Sequence, residues 1–72
     1  MNSRKNQDAN VPFQVLGTTF GAFLETASNL YFSTDGFNYV KYEEEIPAGN
    51  LFVNGCVSGM YCKFDQDATI LF

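Results

Sequence analysis

Apolar residues along this chain recur at alternate positions in short runs, and clusters of Gly, Pro, Asn, Asp and Ser separate the runs. Successive side chains of a strand point to opposite faces, so a period of two marks a strand with one buried side. Residues 60–64, Met-Tyr-Cys-Lys-Phe, are the clearest case. Met60, Cys62 and Phe64 fall on one side, Tyr61 and Lys63 on the other. The same reading places strands at residues 13–16, 18–26, 30–32, 37–42, 51–53 and 69–72, with Ile70 and Phe72 inward in the last. The longest helix candidate is residues 21–32, but its Phe, Thr and Tyr content and the Ser28-Asn29 break favour strands. Gly17 reads as a bend between the first two strands.

Residues 31–42, YFSTDGFNYVKY, read as a hairpin. Thr34-Asp35-Gly36 suits a three-residue loop, a type I turn followed by Gly36 in the left-handed region, with the Asp35 side chain capping the turn. That register pairs Ser33 with Phe37, Phe32 with Asn38, Tyr31 with Tyr39 and Leu30 with Val40. Leu30, Phe32, Val40 and Tyr42 then form the buried face. Tyr31, Ser33, Phe37, Tyr39 and Lys41 form the outer one, which is aromatic and amphipathic. Beyond the hairpin, Glu43, Glu44 and Glu45 leave the sheet, Ile46 plugs back toward the core, and residues 47–49 turn the chain. Asn54-Gly55 belongs to a longer connection that also holds Gly59. Residues 1–11 are almost wholly polar and cannot offset their ordering entropy by burial, so they read as a flexible N-terminal arm. The expected fold is all-β: a single domain at residues 12–72, a compact antiparallel β-sandwich or small barrel of about six to seven short strands.

Composition excludes more functions than it names. The chain has 72 residues, and a domain of that size buries only about 60% of the surface its unfolded chain exposes. Folds this small draw on disulfides, metals or partners. There is no His and there are two Cys, which rules against a structural zinc site and leaves no Ser–His or Cys–His pair for nucleophilic catalysis. Cys56 and Cys62 read as reduced, buried hydrophobes of a chain that folds in a cytoplasm. No catalytic residue and no cofactor is expected, so the chain does not read as an enzyme. Glu43–Glu45 are solvated charges beside a strand edge, and Asp65 and Asp67 are turn residues whose loop leaves a bound cation open. The net charge is −4. Arg4 and Lys5 lie in the arm, and Lys41 and Lys63 are isolated, so nucleic acid is not an expected partner of the folded part. No run approaches the roughly 18 apolar residues of a membrane span, and MNSRKNQDAN lacks the apolar stretch of a secretory signal. Aromatic and charged residues each make up 17% of the chain, which is more aromatic surface than one thin core needs and points to a partner.

Residues 30–49, LYFSTDGFNYVKYEEEIPAG, followed by residues 59–64, GMYCKF, resemble the small all-β domains of tailed-bacteriophage virion proteins, in particular head-decoration (auxiliary capsid) and head-fibre proteins. The shared pattern is a Y-x-S-x-D-G hairpin, an I-P-A turn and a G-x-Y strand. This resemblance carries no catalytic residues and implies a structural role. The domain would bind the major capsid protein or another virion protein through protein–protein contacts, alone or as a homo-oligomer, in the virion after assembly in the host cytoplasm. The candidate contact residues are Arg4, Lys5 and Asn6 of the arm and Tyr31, Phe37 and Tyr39 of the outer face. The alternative is a carbohydrate- or receptor-binding module of a phage tail or fibre, with exposed Tyr and Phe stacked on sugar rings and Asp35, Asn38 and Asn54 bonded to hydroxyls. Ser33–Gly36 is also similar in turn type to the Asp-box hairpins of sialidase-type propellers, although Phe37 stands where that box has Gly.

Overall fold

Residues 4–71 are described by a computed structural model. Eight strands follow one another: Arg4–Gln7 (β1), Phe13–Gln14 (β2), Phe20–Leu24 (β3), Leu30–Ser33 (β4), Val40–Lys41 (β5), Gly49–Val53 (β6), Tyr61–Phe64 (β7) and Ala68–Leu71 (β8). The seven expected strands reappear, β2, β3, β5 and β7 shorter than expected, β4 and β6 longer and β8 starting one residue earlier, and β1 is added, so the count is eight and not six to seven. Phe72 and residues 1–3 lie outside the described residues, and with Phe72 its expected inward position.

The strands form two four-stranded antiparallel sheets, ordered β1-β8-β3-β6 and β2-β7-β4-β5. The pairing is nested. Arg4 lies opposite Leu71, Phe13 opposite Cys62, Phe20 opposite Val53 and Phe32 opposite Val40. Residues 4–71 are thus one long hairpin folded about residues 33–39 and rolled up, and the ladders β3/β8 and β4/β7 complete the two sheets. This is the connectivity of a jelly roll. It resolves the choice between sandwich and barrel in favour of a sandwich.

The core lies between the sheets. Phe20, Ala22, Leu24, Ala68 and Ile70 come from the first, and Phe13, Leu30, Cys62 and Phe64 from the second. Phe13 joins the layers, edge-on to Phe20 at 5.3 Å and stacked on Phe64 at 6.2 Å between ring centroids. Each large side chain buried in this way stabilises the fold by about 1.5–3 kcal/mol. Gly17 lies where the chain passes from one sheet to the other, consistent with a bend. Ile46 packs against the core as expected. Its backbone exchanges both hydrogen bonds with Ser28, at 2.8 and 2.9 Å.

The expectation of a flexible arm fails for residues 4–11. β1 pairs along the whole of β8. Beyond it, the Ala9 N–H donates to Asp67 Oδ1 (2.8 Å) and the Asn10 N–H to the Phe64 carbonyl (2.7 Å). The buried Gln7 side chain donates to the Val11 carbonyl (2.9 Å) and holds the reversal closed. Polar composition misled because β1 gains its order from backbone bonds to a buried strand, and these need no apolar side chain.

Candidate functional site

The hairpin tip explains why its register differs from expectation. Ser33 Oγ accepts from the Gly36 N–H (2.9 Å) and donates to Asp35 Oδ1 (2.7 Å). Asp35 Oδ1 in turn accepts from the N–H groups of Phe37 and Asn38, both at 2.8 Å, and Oδ2 accepts from the Asn38 amide (2.8 Å). The carboxylate takes the N–H groups that a three-residue loop would give to the ladder, so side chain outcompetes strand. The loop widens, and pairing begins only at Phe32 with Val40 and Tyr31 with Lys41. Gly36 does lie in the left-handed region, at φ 79°. The four N–H and O–H donors, led by the Asn38 and Phe37 backbone, hold the Asp35 carboxyl well below the usual carboxylate range.

The expected outer residues separate into three places. Tyr31 and Tyr39 lie half-buried on the outer face of the second sheet, with the Lys63 ammonium 5.6 and 4.5 Å from their ring centroids. Desolvation raises the Tyr39 phenol above its ordinary value. Phe37 sits on the hairpin tip, 88% exposed, and belongs to no strand. Lys5 and Asn6 lie on β1 at an edge of the first sheet, where Asn6 Oδ1 accepts from the Thr69 hydroxyl at 3.4 Å. The Arg4 backbone is part of β1, and its side chain lies outside the described residues. The five candidate side chains that are described, those of Lys5, Asn6, Tyr31, Phe37 and Tyr39, therefore make no single surface.

The expected buried face of the hairpin is only half buried. Leu30 is in the core and Phe32 packs against it, but Val40 is 58% and Tyr42 44% exposed. Because β5 stops at Lys41, it does not cover the inner side of the five-residue β6. A cleft of about 540 Å³ opens there between the sheets, within the roughly 300–1,000 Å³ of ligand pockets. Leu30, Phe32, Cys62, Leu51 and Val53 form its walls, and Met60 and Cys56 lie at one end. Residues 43–45 arch over the mouth between two anchors, the Tyr42 N–H bonded to the Leu30 carbonyl (2.8 Å) and the Ser28/Ile46 bridge. Glu44 and Glu45 face the mouth. No feature of the sequence pattern marked this cleft, because it arises from where β5 ends.

Cys56 and Cys62 are free thiols. Burial, with a smaller contribution from Cys56, pushes Cys62 up to about 12, so it is an inert apolar wall and no nucleophile at neutral pH. Asp65 is more than a turn residue. Its carboxylate accepts from Ser28 Oγ, the Asn29 N–H and the Asn29 amide, each at 2.9 Å. The Asn29 bonds are the main cause of its lowered pKa. At the loop where a bound cation was left open, Asp65 thus bonds to protein donors on both oxygens, and Asp67 Oδ1 accepts from the Ala9 N–H. A second, polar depression of about 260 Å³ lies beside Asp8, Glu25 and Asp67. Among the described residues no group of three His, Cys, Asp or Glu is placed to hold a metal ion. Comparison of the chain with protein-family models, curated proteins and solved structures finds no match.

Proposed function

We propose that this chain is an auxiliary virion protein, a small jelly-roll domain that binds a capsid or fibre protein of a tailed phage. The supporting observation is apolar exposure on a chain of this size. Phe37, Leu16, Phe52 and Val57 are 88, 74, 65 and 61% exposed; they stand apart, on the hairpin tip, on β6 and in two loops, so they support the reading as separate anchors and not as one patch. A standard interface takes about 800 Å² from each partner, roughly a sixth of the 4703 Å² this domain exposes. Phe37 is the natural anchor, an aromatic ring on a tip that its own hydrogen bonds hold in shape.

The carbohydrate reading has less support. Asp35 and Asn38 already satisfy one another, and the Tyr31 and Tyr39 rings are engaged with Lys63. The test is co-sedimentation of the purified chain with capsids of its phage that lack it. The chain should pellet with the particles, and Phe37→Ser should weaken that binding without changing the melting temperature. A chain that stays in the supernatant and is absent from mature virions by mass spectrometry has some other role.

A further inference from the structure

The two sheets have four edge strands, β1, β6, β2 and β5. Three are protected in the ways proteins use to prevent unwanted pairing. β1 carries Arg4 and Lys5. β2 and β5 are two residues long. β6 has neither protection: it runs five residues, Gly-Asn-Leu-Phe-Val, without a charge or a proline. Its ladder is with β3, and among the described residues no strand lies along its other side. Alternate N–H and C=O groups of β6 therefore face outward unpaired. The same strand forms one wall of the cleft. Leu51 and Val53 pack toward the core, while Phe52 stands on the outer face.

We infer that β6 is a docking edge for an extended segment of another protein, which adds a fifth strand to the first sheet. Its inward side chains would continue the row of Leu51 and Val53 over the open cleft, and its outward ones would flank Phe52. Charge selects the occupant. Glu44 and Glu45 stand at the mouth of a chain whose net charge is −4, so the fitting segment alternates apolar residues and carries Lys or Arg beside them. A second copy fits poorly, because pairing β6 with β6 about a two-fold axis sets both copies' glutamates along one seam.

This rests on reading the chain as a protein-binding module. The test is selection of a displayed random heptapeptide library on the purified full-length chain, with the enriched peptides synthesised and their affinities measured by fluorescence anisotropy. Enriched sequences should alternate apolar residues and include Lys or Arg. N-methylation of one alternate set of peptide amides should weaken binding at least about tenfold, and methylation of the other set little. Glu44→Gln with Glu45→Gln should weaken it several-fold and flatten its salt dependence. No enrichment, equal effects of the two methylation patterns, or a β6-paired dimer in solution would each overturn the inference. Peptides that dock as described while capsids fail to bind support the edge and remove the virion assignment.

Discussion

At Gly36 two constraints coincide. Its φ is 79°, and a Cβ there would stand 3.3 Å from the Tyr61 ring. Alanine in the left-handed region costs about 1–2 kcal/mol, and the ring must also shift. A β-branched residue resists positive φ still more, so Gly36→Val should lower the urea midpoint further than Gly36→Ala. Equal midpoints in wild type and Gly36→Val would show that the tip relaxes freely. Asp35 and Asp65 define the acid response. Both carboxyls titrate below their unfolded value, so the unfolded chain binds protons first as pH falls. The stabilisation they give is complete above about pH 4 and is lost as pH falls further through their lowered native values. Urea midpoints measured from pH 7 to pH 2 should therefore drop below pH 4, and Asp35→Asn with Asp65→Asn should shrink that drop. An acid limb unchanged in the double variant would assign it to other carboxylates.

Among the elements, β1 carries the sharpest consequence. A chain lacking residues 1–7 loses the β8 ladder and the Gln7 side chain that closes the following reversal. Four residues of ladder at about 0.5–1.5 kcal/mol per hydrogen bond are a large share of the stability of so small a domain. This truncation should lower unfolding free energy by at least about 2 kcal/mol, read by urea denaturation. A stability equal to wild type would mean that β1 only rests on β8. Such a deletion also cannot test a binding arm by itself, since it weakens the fold. β1 escaped sequence reading because its partner is at the far end of the chain and its side chains are polar. β7 and β8 were legible because their alternation is strict and one face is fully buried, as at Cys62, Phe64 and Ile70. β5 was legible as a strand but not in length, because the Asp35 side chain decides where pairing begins. The cleft follows from that length, so it was hidden for the same reason. The aromatic outer face was legible as a set of residues. Its division between a Lys63 cluster and an exposed tip was not.

For the molecule as a whole, nesting sets the order of folding. The β4/β5 pairing closes a short loop, whereas Arg4 meets Leu71 only after nearly the whole chain has been gathered. Loop-closure entropy must be overcome before such distant contacts reward it. Sequence reading placed seven of the eight strands but could not supply this order, because alternation says which face is buried and nothing about which strand lies alongside. The topology favours zipping from the tip outward, with β4, β5 and β7 assembled in the transition state and β1/β8 added late. Gly36→Ala acts at the tip, and Ile70→Val removes one methyl from a fully buried site in β8 at a cost of about 0.5–1.5 kcal/mol. In stopped-flow chevrons the first should mainly slow folding, with a phi-value above about 0.5, and the second should mainly speed unfolding, with a phi-value near zero. The reverse pattern would mean that the termini meet first and the roll closes from its open end.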